Sequence, residues 1–276
     1  MHTQFSKLPL TGVKVVDFGQ YIAGPAVAML LGDLGATVVH IDPPEGAMWD
    51  SPANATLNRN KLIVTLDLKT GDGLEKARLL CAEADIIVEN FRPGVMERLG
   101  LEYESLVKDN PALIYAAIRG FGDPRSGESP YVNWPSYDVV AQAMGGIMGI
   151  TGPDADTPMK VGPGVGDIFS GLMLSFGIIT ALRQADATGK GQFVDVAMYD
   201  AIISMCERSI YLQDFTGISP KPEGNGHPFL APFGLFPVVD GHIALGIVDD
   251  RFWQKLAKST DIEGLDIDAR FVSRQD

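Results

Sequence analysis

In the stretch VGPGVGDIFSG, residues 161–171, a single carboxylate, Asp167, stands between three glycines and a long apolar run. Two chemistries suit an aspartate there. As a helix N-cap it would accept hydrogen bonds from first-turn N–H groups, worth about 1 kcal/mol. As a nucleophile it would be held ionised by the helix dipole, while Gly162, Gly164, Gly166 and Gly171 clear side chains away and let a ligand approach the backbone. One residue can do both. A second cluster, ENFRPGVMERLG, ends a strand-like run in Asn90 and Phe91 and sets Arg92 and Arg98 around a short helical pattern. Ligands on open α/β sheets gather at such strand ends; the plainer reading is a solvated helix face with two ordinary arginines. A third cluster, NRNK at residues 58–61, offers either a phosphate contact or ordinary surface.

Other chemistries find no foothold. His2, His40, His227 and His242 show neither HExxH nor i, i+4 pairing, so they read as packing or surface residues, and no metal site is expected. GxSxG does not occur, and GGIMGITG lacks both the P-loop lysine and the dinucleotide spacing. A formal net charge of -13 without a Lys/Arg run speaks against nucleic acid as a partner. Cys81 and Cys206 lie far apart in apolar surroundings, which excludes a disulfide framework and leads to the expectation of a cytoplasmic protein. The first ten residues hold no apolar core of signal-peptide length. The longest apolar stretch, Ile168 to Leu182, is shorter than the roughly 20 residues of a spanning helix, so no membrane is expected.

The order of elements says what must position these residues. VKVVDFG, GPAVAMLLGDLG and ATVVHIDPP read as strand, helix with Pro25 near its start, and strand. The alternation continues through LIVTLDL, the helical GDGLEKARLLCAEA, DIIVEN, the short helices GVMERLG and YESLVKDN, and ALIYAAIRG. Strands alternating with helices predict an α/β, Rossmann-like parallel sheet with helices on both faces. Helices at YDVVAQAMGGIMG, DIFSGLMLSFGIITALRQ and YDAIISMCERSIYLQDF, with a strand at GQFVDVAM, complete a large domain over residues 1–215. Met144, Met148, Met173 and Phe176 follow helical spacing and read as core. Residues 216–234, rich in Pro and Gly, read as a linker. A hairpin at GLFPVVDGHIALGIV and a helix at DRFWQKLAKST then open a smaller α+β domain, residues 235–276, left incomplete.

Five motifs in order, LTGVKVVDFGQYIAGPAVAMLLGDLGATVVHIDPPEG, ADIIVENFRPGVMERLG, YDVVAQAMGG, VGDIFSG and GKGQFVDVAMYDA, resemble the class III coenzyme A transferases of CaiB/BaiF type. The resemblance implies a CoA-binding large domain and an interlocked homodimer. It also implies transfer of CoA between an acyl-CoA and a carboxylic acid, both substrates, with no tightly bound cofactor. Asp167 matches the family's acylated aspartate, which would pass through an anhydride and an aspartyl-CoA thioester, with the glycine-lined backbone offering N–H groups to each oxyanion. Ala23, Leu66, Asn90, Phe91 and Arg98 match positions that contact CoA, Arg98 as a partner for phosphate. In the pocket Ile22, Tyr137 and Asp138 would join them, and GNGHPFLAP, with Gly224, Gly226 and His227, stands for the family's glycine loop over the acylated aspartate.

Ile22 replaces a glutamine of formyl-CoA transferase, and Pro43 an arginine, which argues against a formyl or oxalyl substrate. The related α-methylacyl-CoA racemases place a histidine where this chain has Tyr137, and a phenol of ordinary pKa near 10 is a poor base at neutral pH. Family members continue beyond the length of this chain, so a C-terminally shortened form is expected, and a non-catalytic CoA-binding homologue is the third reading.

Overall fold

Runs of β-branched residues form a parallel sheet. A computed structural model describes residues 7–48 and 51–271; His2 lies outside them. Six parallel strands form one sheet: β1 (Lys14–Asp17), β2 (Thr37–Asp42), β3 (Lys61–Thr65), β4 (Ile86–Glu89), β5 (Ile114–Arg119) and β6 (Gln192–Ala197). Their spatial order is β3-β2-β1-β4-β5-β6. Val16 of β1 is in register with Val39 on one side and Ile87 on the other. Every residue of β4 and β5 is buried, as a parallel sheet covered on both faces requires. β3 is an edge and leaves Leu62 and Ile63 exposed. The core on one face joins Val16, Ile87 and Tyr115 to Met96, Leu101 and Leu113. Truncating a leucine or isoleucine there would cost about 2–5 kcal/mol.

The first four helices are α1 (Ala23–Asp33), α2 (Pro52–Leu57), α3 (Gly71–Ala82) and α4 (Val95–Leu99). After α5 (Tyr103–Leu106) come α6 (Asp138–Met144), α7 (Val165–Thr188), α8 (Met198–Met205) and α9 (Glu207–Thr216). Sequence patterning passed over α2, whose signal is Ser51 with Pro52 at the first helical position; Ser51 Oγ accepts the Asn54 N–H at 3.3 Å. α6 stops at Met144 instead of running through the glycines, and Gly146 turns the chain at φ 90°. The long helix expected across residues 199–215 is two, parted at Cys206.

α7 extends to 24 residues and is long and apolar enough to cross a bilayer by length and composition. Its apolarity has another use, because it packs against α1, α6, α8, β5 and β6. Not all of that apolar surface is covered. Met173 and Phe176, expected in the core, are exposed, Phe176 at 75%.

The chain divides into two compact units, residues 1–147 with 161–210, and residues 148–160 with 211–276. The second holds an antiparallel hairpin, β7 (Phe233–Val238) and β8 (Gly241–Gly246), and the helix α10 (Asp250–Ser259), capped by Asp249 Oδ1 on the Phe252 N–H at 3.0 Å. Residues 148–160, which patterning kept with the large domain, belong to this second unit.

Candidate active site

Strand order reverses between β1 and β4, and such a reversal opens a crevice beyond the carboxyl ends of the strands. A cavity of about 980 Å³ lies there, within the first unit. Ile22, Ala23, Leu66, Asn90, Phe91, Tyr137, Asp138 and Asp167, singled out from the sequence, all line it.

The loop from β1 to α1 forms one wall and is tied down by a buried charge cluster. Asp17 Oδ1 accepts the Gly19 N–H at 2.7 Å. Its Oδ2 accepts from Lys61 Nζ at 2.8 Å and faces His40 Nδ1, also at 2.8 Å. Lys61 donates further to the Pro25 carbonyl at 2.9 Å and to Asn58 Oδ1 at 3.0 Å. Burial works against the Asp17 anion, but Lys61 and His40 outweigh it and hold its pKa below the usual carboxylate value. The NRNK stretch therefore meets neither phosphate nor surface water through its lysine, whose side chain is wholly buried. His40 is a packed residue, as its isolation in the sequence led one to expect.

Asn90 fastens the same loop to β4. Its Oδ1 accepts the Gln20 N–H at 2.7 Å and its Nδ2 donates to the Gln20 carbonyl at 2.8 Å. A Cβ at Gly24 would lie 2.7 Å from Gly19 Cα and 3.1 Å from the Asn90 amide, so the approach needs glycine. Phe91 is clamped in turn: its N–H donates to Glu89 Oε2 at 2.7 Å, and Arg119 Nε donates to its carbonyl at 2.9 Å. Arg119 also pairs with the buried Glu89 and Asp123.

Asp167 is the third residue of α7, and its side chain makes no cap; Gly164 holds the N-cap position. Asp138, at the start of α6, does the capping across the site, its Oδ1 accepting the Gly166 N–H at 2.7 Å. Asp138 Oδ2 accepts from Gln142 Nε2 at 2.8 Å, and Gln142 Oε1 accepts the Val161 N–H at 2.8 Å. Among the described residues the Asp167 carboxylate has no hydrogen-bond partner. Its pKa is pushed up to about 7, first by burial and then by the Asp138 charge. The helix dipole favours the ionised form, but its effect of about 0.3–1 kcal/mol is smaller than these two together. The three glycines also differ. A methyl at Gly162 would meet nothing within 4 Å; at Gly164 it would stand 3.6 Å from Asp167 Oδ2 and 3.8 Å from the Asp138 carboxylate; at Gly166 it would press on Asp138 Oδ1 at 3.1 Å.

Arg98 sits in the last turn of α4 and is not among the lining residues. Gly224, Gly226 and His227 belong to the second unit, where the Gly224 N–H donates to the Gly152 carbonyl at 2.9 Å and the His227 ring packs on Phe233. Sequence reasoning missed Tyr21, Lys69 and Arg119 as cavity residues and left Arg92 undecided. Lys69 and Arg92 are exposed cations without an ion-pair partner among the described residues, unlike Lys61, Arg119 and Arg125. No group of three metal-ligating side chains occurs among the described residues.

A model of CoA-transferase family III matches residues 10–276. The chain is 42% identical over 264 residues to a succinyl-CoA:mesaconate CoA-transferase of Haloarcula hispanica, covering 91% of this chain and 67% of that protein. It is 33% identical over 287 residues to a succinate–glutarate CoA-transferase of Agrobacterium fabrum, covering 98% and 70%. A crystal structure of a CaiB/BaiF family protein from Brucella suis superimposes with a TM-score of 0.87 at 38% identity, over 97% of this chain and 73% of that one.

Proposed function

The chain belongs to CoA-transferase family III and is a CoA-transferase, and we propose that it moves CoA from an acyl-CoA to a carboxylic acid through acylation of Asp167. The observation that carries the reading is the Asp167 carboxylate itself, opening into the switch-point cavity with no partner to hold its charge. The ionised form attacks the thioester carbonyl, and the tetrahedral adduct expels CoA thiolate to leave a mixed anhydride. Thiolate attack on the Asp167 side of the anhydride frees the donor acid and gives an aspartyl-CoA thioester. The acceptor carboxylate attacks that thioester, and the thiolate returns to the new acyl group, releasing acyl-CoA and the Asp167 carboxylate. A carboxylate whose proton affinity is raised is the better nucleophile once ionised.

The glycine segment supplies fewer oxyanion donors than its composition promises, because the Gly166 N–H is taken by Asp138 and the Val165 N–H by the Pro163 carbonyl at 2.8 Å. Gly164 and Asp167 keep N–H groups with no bond among the described residues, and they are the donors this reading uses. Lys69 and Arg92, unpaired at the cavity, suit the phosphates of CoA; Arg98 would serve only from outside the lining. A homodimer is part of the same reading, supported by the exposed stripe of Ile168, Leu172 and Phe176 along α7. So is a cytoplasmic setting, in keeping with the buried, unpaired Cys81 and Cys206.

The test is intact-mass analysis after incubation with a panel of acyl-CoAs, trapping with hydroxylamine. A donor-dependent adduct mapped to Asp167 and lost in Asp167→Ala, forming faster as pH rises through about 7, is the expected result. CoA binding with no adduct from any donor would leave a binding protein and end the covalent reading.

A further inference from the structure

Gln142 lies fully buried on α6, one turn beyond Asp138. An amide at that depth is costly unless its polar atoms are bonded. Nε2 donates to Asp138 Oδ2 at 2.8 Å and lies 3.4 Å from the Val161 and Pro163 carbonyls, while Oε1 accepts the Val161 N–H at 2.8 Å. These contacts reach two things, the Asp138 carboxylate and the glycine segment that leads into α7. Apolar filling alone would be met by leucine or methionine.

We propose that Gln142 is a positioning residue for the transfer reaction: it holds in place the Asp138 carboxyl group that caps α7 and ties the glycine segment to α6, fixing the turn that presents Asp167. The inference rests on the reading of Asp167 as the nucleophile and deepens it. Asp138 is gripped on both oxygens, at Gly166 and at Gln142, while Asp167 has no such bond among the described residues. Asp138 is the charge that acts on Asp167. The other charged groups lining the cavity are Glu45, Asp67, Lys69, Arg92 and Arg119. On α8, packed against both α6 and α7, Asp200 acts on Asp195 instead. On α1, Asp33 is paired with Arg59.

The experiment follows aspartate carboxyl carbons by NMR titration in the parent, Gln142→Glu and Gln142→Leu proteins, with Asp167→Asn assigning the Asp167 resonance. Acyl-adduct formation is timed in the same proteins by mass spectrometry. Glu keeps the shape and the bond to the Val161 N–H but turns an acceptor toward Asp138, so a proton must enter between them; Leu removes every bond. The lost hydrogen bond in the Leu variant, and the added ionisable carboxyl in the Glu variant, should each move the Asp167 titration by about one pH unit or more. The saturated acylation rate should fall about 100-fold, the donor concentration for half-saturation staying put. Should the Leu variant not fold, the Glu variant decides. Folded variants with the parent's titration and rate overturn the proposal. A moved titration in a protein that forms no adduct sinks acylation of Asp167 and keeps the positioning role; an adduct with an unmoved titration does the reverse.

Discussion

Asp17 and Asp167 are two carboxylates near the same strand ends, and their surroundings are opposite. Asp17 is fully buried and met by Lys61, His40 and the Gly19 N–H. Asp167 has no partner among the described residues, and the nearest charge that acts on it is another carboxylate. Burial penalises both anions, so the partners decide the outcome: one pKa falls below the ordinary value and the other rises to about 7. The paired carboxylate holds a loop in place. The unpaired one keeps its lone pairs free of any bond among the described residues, the pattern expected of a carboxylate that meets a substrate.

The strongest way to break the comparison is to unpair Asp17. In Lys61→Met the methylene stem is largely retained, while Asp17 Oδ2 keeps only His40 and the Pro25 carbonyl and Asn58 Oδ1 lose the Nζ donor. Stripping one partner from a buried ion pair costs about 3–5 kcal/mol. Urea unfolding should show a loss of that size, and adding Asp17→Asn to Lys61→Met should recover part of it. A single variant as stable as the parent would mean that the buried charge is not what anchors the loop.

These two carboxylates were not equally legible. The parallel sheet was, because valine and isoleucine runs alternate with helical patterns at short spacing. Asp167 stood out because glycines surround it, and Ile22, Ala23, Asn90 and Phe91 because they follow strands. Asp17, His40 and Lys61 gave no local sign of one another. They meet only because β1, β2 and β3 are neighbours in the sheet, and pairing across strands has no fixed sequence separation. The capping of α7 by Asp138 was hidden for the same reason: residues 138 and 166 are distant in sequence, and an aspartate inside a first turn looks like that helix's own cap. Arg119 was hidden inside an apolar strand, ALIYAAIRG, whose last side chains turn toward the cavity.

The glycines sharpen the contrast at the Asp167 end. Gly164 has φ -71°, which alanine adopts without strain, and its added methyl would sit at ordinary contact distance from both carboxylates. Gly164→Ala should therefore leave stability nearly unchanged and slow adduct formation about 10- to 100-fold by standing in the path of the donor. Gly162→Ala, with nothing within 4 Å, should be close to silent. Equal effects from the two would mean that the segment matters for its flexibility and not for the space beside Asp167.

The smallest effect is the one that separates the two carboxylates most cleanly, because it has opposite sign for each. The Asp17 pKa is lowered in the folded state, so its contribution is present above the unfolded value near 3.8 and is lost as pH falls through the folded pKa. Asp167 is raised, so between about 4 and 7 the folded protein binds a proton that the unfolded chain has released, and stability falls as pH rises through that window. Asp167→Asn removes this titration while keeping the shape of the side chain. It should match the parent near pH 4 and become more stable above pH 7, by on the order of 1 kcal/mol, since water reaches the half-buried site and screens it. Denaturant unfolding of both proteins across that range reads the difference directly. A gap that stays constant with pH would show that Asp167 titrates alike in folded and unfolded protein, leaving its carboxylate no more basic than one on the surface.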